Sequence, residues 1–100
     1  AGIARDGDKL AALQRALGDR FEPHPCDVTD TTVFAAVLRH IADTHGRIDL
    51  LVNNAGTAKV MSIADTTPEE FRAMHDINVL APATAIHTLW PAMTAHGDAR

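Results

Sequence analysis

The 100-residue chain has no tyrosine, a single cysteine, a single serine (Ser62) and only 4% aromatic residues. Cys26, being alone, cannot form an internal disulfide or a cysteine metal cluster, and a reducing cytosol is the compartment expected for such a chain. Charge of one sign is also scarce. Nine Lys and Arg against thirteen Asp and Glu leave a net −4, so there is no basic cluster of the kind nucleic-acid binding requires. The opening Ala1-Gly2-Ile3-Ala4-Arg5 lacks the basic stretch and apolar core of a secretory signal. Ile77 to Ala95 carries no Asp, Glu, Lys or Arg. Asn78, Thr84, His87, Thr88, Pro82 and Pro91 interrupt it, however, and a spanning helix needs about 20 mostly apolar residues. A helix covered by protein on several sides is expected, not a membrane span.

With 46% apolar residues, the chain has the composition of one globular domain at most. Leu10, Leu13 and Leu17 recur at helical spacing, with Asp6 or Asp8 to cap the start and Gly18 to end it. Phe21 to Pro25 reads as a short extended run. Thr29 or Asp30 then caps a second helix with apolar positions Val33, Phe34, Val37, Leu38 and Ile41, stopped by Gly46. Ile48-Asp49-Leu50-Leu51-Val52-Asn53 is a nearly continuous apolar run of strand length, the pattern of a strand buried on both faces. It opens into the turn-forming Asn53-Asn54-Ala55-Gly56. Thr67, Pro68 and Glu70 form a capping box for a third helix predicted to reach about Trp90. Phe71, Met74 and Asn78 share one face of it. Strands alternating with helices imply α/β architecture with a parallel sheet.

Cys26-Asp27-Val28-Thr29-Asp30, the apolar run into Asn53-Asn54-Ala55-Gly56, and Asn78 at its distance beyond them together resemble the short-chain dehydrogenase/reductase family. The resemblance runs over essentially the whole chain. It implies a partial Rossmann-type doubly wound parallel sheet, from the end of the family's second strand through the helix after its fourth. Neither the glycine-rich phosphate loop nor the Tyr-x-x-x-Lys signature lies within these residues. On the resemblance, an incomplete dinucleotide-binding domain over residues 1–100, cut at both ends and inactive by itself, is therefore expected.

The same resemblance assigns candidate roles. Asn78 looks like the family's catalytic asparagine, supporting a proton relay through an ordered water; the plain alternative is a solvent-facing helix residue. Pro82 bears on this independently, since proline has no N–H and its ring crowds the carbonyl of residue i−4, here Asn78. Asn54, Ala55 and Gly56 would line the cofactor at the carboxyl end of a parallel strand, where doubly wound sheets bind their ligands. Gly56 would remove a side chain where a ligand or another backbone approaches. Asn53 would tie the strand to its neighbours. Read without the family, this stretch is simply a turn. Asp27 would accept from the adenine amino group, with the Val28 backbone beside it; helix capping is the other reading. Ala4-Arg5 fits NADP-preferring relatives, in which a guanidinium grips the 2′-phosphate, while adjacent Asp6 keeps NAD open.

Six histidines raise the question of a metal, yet His40 and His45 are five apart, not the four that puts two imidazoles on one helix face. His24, His75, His87 and His96 are scattered, and no metal site is expected. Lys9 and Lys59 read as solvated. In the strand order 3-2-1-4-5-6 the first strand separates the second from the fourth. Ile48 to Asn53 would therefore have no neighbour, and a loose or self-associating free chain is expected, since each buried unpaired backbone group costs about 1–3 kcal/mol. The uncharged third helix suggests a homo-oligomeric parent, and the resemblance implies a small carbonyl or alcohol substrate. Two other readings stand beside the enzyme: a non-catalytic nucleotide-binding or interaction module on the same scaffold, and a self-contained α/β domain without cofactor.

Overall fold

In the computed structural model of the protein, residues 1–95, 97, 99 and 100 are described, so His96 lies outside the described residues. Strand β1 (Gly2–Ala4) leads through helix α1 (Gly7–Leu17) to strand β2 (Pro23–Pro25). The Asp6 carboxylate caps α1 by accepting from the Lys9 N–H, and Gly18 ends it at a φ of 62° that few side chains tolerate. The strands pair in parallel, Ile3 opposite His24, as a connection through a helix requires.

Helix α2 (Thr31–His45) starts at Asp30, which accepts from the Val33 N–H, and stops at Gly46 in the left-handed conformation. Helix α3 (Pro68–His75) begins with the expected capping box, Thr67 and Glu70 each bonding the other's backbone. One π-helical turn (Asp76–Leu80) joins it to helix α4 (Ala81–Thr94). In that turn the Ala81 N–H reaches back five residues to the Asp76 carbonyl. The widening falls where Pro82 withholds a donor from Asn78, one of the recognised causes of such turns.

Helices α2 and α4 pack together over the main core, built from Cys26, Val28, Phe34, Leu38, Ala81, Ala85 and Leu89, with Ile3, Ile48, Leu51 and Ile77 against it. Small residues on α4 let the two helices approach, and Ala85 is wholly buried. Several positions expected in a core are exposed: Leu13, Leu17, Val33 and Phe71 lie between 44% and 48% accessible. Periodicity set their helix face correctly, but nothing among the described residues covers it. No described helix is long and apolar enough to cross a membrane.

The expectation for Ile48 to Asn53 requires correction in two respects. Among the described residues the sheet contains only β1 and β2, and the segment is not one of its strands. Nor is it without a neighbour. The Arg100 N–H donates to the Asp49 carbonyl and the Leu51 N–H donates to the Arg100 carbonyl, both at 2.7 Å. That pair of bonds is the repeat of a parallel ladder, one residue long. With Ile48 and Leu51 packed on the core, it holds the segment beside the helices. A ladder one residue long does not make a strand, which is why an apolar run of strand composition remains irregular here.

Candidate cofactor crevice

The end of the apolar segment meets the π-turn through one side chain. Asn78 Oδ1 accepts from the Thr57 N–H at 2.9 Å, and Asn78 Nδ2 donates to the Thr57 carbonyl at 2.8 Å. A primary amide offers one acceptor and donors on the same plane, so it can satisfy both backbone groups of one residue. Gly56 is the near neighbour in this clamp, for a Cβ there would stand 3.1 Å from Asn78 Oδ1. The approach expected at Gly56 is thus made by an amide side chain. Asn78 and the loop are brought together although 21 positions separate it from Thr57. Asn78 is nevertheless exposed, contrary to the covered position its shared face with Phe71 and Met74 implied. That face is itself open at Phe71.

Asp27 is placed by its own turn. Its Oδ1 accepts from both the Thr29 N–H, at 2.9 Å, and the Thr29 hydroxyl, at 2.7 Å. Those two bonds hold its carboxyl below the ordinary 3.8, with the Arg5 charge adding to them. Capping of α2 falls to Asp30 instead. Cys26 beside it is buried, and burial pushes its thiol up.

A cavity of about 1050 Å³ runs between β1 and the segment of Ile48 to Gly56. Arg5, Val28, Asn54, Ala55 and Gly56 line it, with Asn53; Asp27 and Asn78 are outside its walls, Asp27 next to Val28 and Asn78 across Gly56. Five of the seven expected site residues therefore line one opening, with Asp27 adjacent to it and Asn78 tied to it by the clamp. Thr57 was not foreseen. It takes part through its backbone, which leaves no mark on residue type; the only hint was a glycine just before it.

Three further contacts lie away from the crevice. Lys59, expected to be solvated, pairs with Glu70, and Lys9 pairs with Asp6 at 3.3 Å. The scattered histidines partly converge. His24 Nε2 and His45 Nε2 stand 2.8 and 2.7 Å from the two oxygens of Glu22, and the His24 and His40 rings meet edge-on. No group of three or more metal-ligating side chains with suitable geometry occurs among the described residues.

Parallel pairing through a helical crossover, the apolar segment ending in Asn-Asn-Ala-Gly and its clamp to Asn78 fit a partial doubly wound α/β fold. Comparison with known proteins agrees. Residues 1–99 match the model of a family described as enoyl-(acyl carrier protein) reductase. A probable NADP-dependent dehydrogenase of Dichelobacter nodosus is 44% identical over 57 residues, 57% of this chain and 54% of that protein. A short-chain dehydrogenase from Streptomyces avermitilis superposes with a TM-score of 0.93 at 36% identity, covering 98% of this chain and 36% of that one. A metagenomic short-chain oxidoreductase solved with NADP gives 0.89 at 35% identity, covering 97% and 46%. The chain belongs to the short-chain dehydrogenase/reductase family, and it spans about half or less of the length of these relatives.

Proposed function

We propose that these residues form the central, cofactor-binding part of a longer cytoplasmic oxidoreductase that moves a hydride between a nicotinamide dinucleotide and a small carbonyl or alcohol substrate. The observation that carries the reading is the clamp. It ties Thr57, and with it Gly56, to Asn78 at the edge of a cavity that Arg5, Val28, Asn54 and Ala55 also line. The donor set fits such a cofactor. Asp27, with one oxygen held by Thr29, is oriented to accept from an adenine amino group, and the exposed Arg5 guanidinium is suited to a 2′-phosphate. The nicotinamide would supply the hydride. This chain's own residues bind and orient, and Asn78 positions and supplies a proton path without being the primary acid or base.

NADP is favoured over NAD because Ala4 ends β1 with Arg5 after it, and the one acid nearby, Asp6, is engaged in capping α1 and pairing with Lys9. The parent is proposed to be a homo-oligomer joined through α4, whose Ile86 and Trp90 are 47% and 60% accessible. The test is made on the longer protein containing this segment. NADPH should support carbonyl reduction about tenfold or more better than NADH, and Arg5→Ala should remove most of that preference, since a charge-assisted bond contributes roughly 1.5–3 kcal/mol. Dinucleotide binding without any hydride transfer would favour a non-catalytic module instead.

A further inference from the structure

The turn from β1 into α1 carries two cations and, between them, an acid that opposes their use. Arg5, Asp6 and Lys9 all line the cavity. An acid beside Arg5 repels a phosphate and suits free ribose hydroxyls instead. Asp6 is not left to act in that way. As the cap of α1 its Oδ1 accepts from the Lys9 N–H at 3.0 Å, and the Lys9 ammonium stands 3.3 Å from its Oδ2. One residue therefore holds both oxygens. The Lys9 N–H first, and its ammonium after it, keep the Asp6 carboxyl below the ordinary 3.8, so the acid is charged at neutral pH. Helix stability alone does not call for a lysine here, because the first turn is the positive end of the helix dipole and favours Asp or Glu. Lys9 takes the third helical position, the one Glu70 takes in α3. There the carboxylate reaches back to the N–H of the cap. An ammonium can only donate, so in α1 it meets the carboxylate of the cap instead. Among these three groups one positive charge is then in excess; without Lys9, Arg5 and Asp6 cancel.

We propose that Lys9 sets the cofactor preference through Asp6: by holding and cancelling that carboxylate it keeps the turn receptive to a 2′-phosphate, and without it the site takes NAD and NADP more evenly. Lys9 is a positioning residue in this scheme, and Arg5 remains the group that meets the phosphate. The inference rests on the nucleotide reading and adds to it the residue on which the preference turns. Its size is bounded by water, since the Lys9 and Asp6 side chains are 83% and 47% accessible.

The longer protein containing this segment is titrated by calorimetry with adenosine 2′,5′-bisphosphate and with adenosine 5′-monophosphate, and the ratio of the two affinities reports the preference. Lys9→Gln keeps the N–H that caps the turn and should lower that ratio about threefold at low salt, while Lys9→Arg should retain it. Adding Asp6→Asn to Lys9→Gln should restore the ratio, since asparagine still caps a helix and carries no charge. The threefold difference should vanish at about 1 M salt, where screening acts within about 3 Å. A ratio that Lys9→Gln leaves unchanged overturns the proposal while the nucleotide reading stands. So does a loss that Asp6→Asn fails to restore, or one that persists in salt, because Lys9 would then touch the phosphate itself or act by packing. Equal or absent binding of the two nucleotides by the unsubstituted protein overturns the cofactor assignment, and this inference with it.

Discussion

Replacing Asn78 by alanine removes both bonds that join the π-turn to the loop after Gly56, and its cost can be worked from the geometry. The bonds measure 2.9 and 2.8 Å, and a net bond contributes about 0.5–1.5 kcal/mol. Both lie in exposed surroundings, where water competes, so about 1–2 kcal/mol for the pair is expected. That corresponds to a roughly 5- to 30-fold rise in local opening, read directly as faster exchange of the Thr57 amide. Gly56→Ala tests the same contact from the other side. Its Cβ would stand 3.1 Å from Asn78 Oδ1, so the amide must give way by a few tenths of an ångström and exchange at Thr57 should rise less. In the Asn78→Ala background that oxygen is gone, and Gly56→Ala should then have almost no further effect, a coupling visible in the double-mutant cycle. Unchanged Thr57 exchange in Asn78→Ala, or strict additivity of the two substitutions, would refute the clamp.

Other consequences are more local. Thr67→Ala removes half of the capping box and should cost about 1 kcal/mol, seen as faster exchange at the Glu70 amide. Gly2→Ala would place a Cβ 2.5 Å from the Phe21 ring; the overpacking should cost about 1–3 kcal/mol in thermal unfolding, and Phe21→Leu should relieve it. Leu38→Ala opens the core between α2 and α4 and should cost about 2–5 kcal/mol by denaturant melt. Glu70 is held below its ordinary 4.5 first by Lys59 and then by the Thr67 N–H, and Asp27 below 3.8 by Thr29. Both folded values lie under the unfolded ones, so the stability these carboxylates contribute is full above the unfolded values and lost as pH falls through the folded ones. Thr29→Val should move the Asp27 carboxyl carbon titration upward; no movement would contradict the assigned cause.

What could be read from sequence divides along a physical line. Asp6, Asp30, Thr67 and the two stops Gly18 and Gly46 act within a few residues, and all of them took the expected positions. Whether Ile48 to Asn53 is a strand depends on what lies beside it, and residue type cannot state that; Arg100 supplies a single rung. Likewise, periodicity gave the apolar faces of α1 and α3 without saying that Leu13, Leu17 and Phe71 would stay open. Pro82 pointed to a disturbed backbone at Asn78 but not to a wider turn. The shared Glu22 of His24 and His45 joins residues far apart in sequence, which no local pattern encodes.

In the proposed site one crevice, floored by Asn54, Ala55 and Gly56 and flanked by Arg5, Asp27 and Val28, receives the adenosine half of a dinucleotide. Amide shift titration of this chain with adenosine 2′,5′-bisphosphate, set against adenosine 5′-monophosphate, addresses it most directly. Shifts confined to those six residues and their neighbours, with the bisphosphate bound about tenfold more tightly through Arg5, are predicted. Shifts scattered elsewhere, or an equal response to the two nucleotides, would contradict the crevice or its preference respectively.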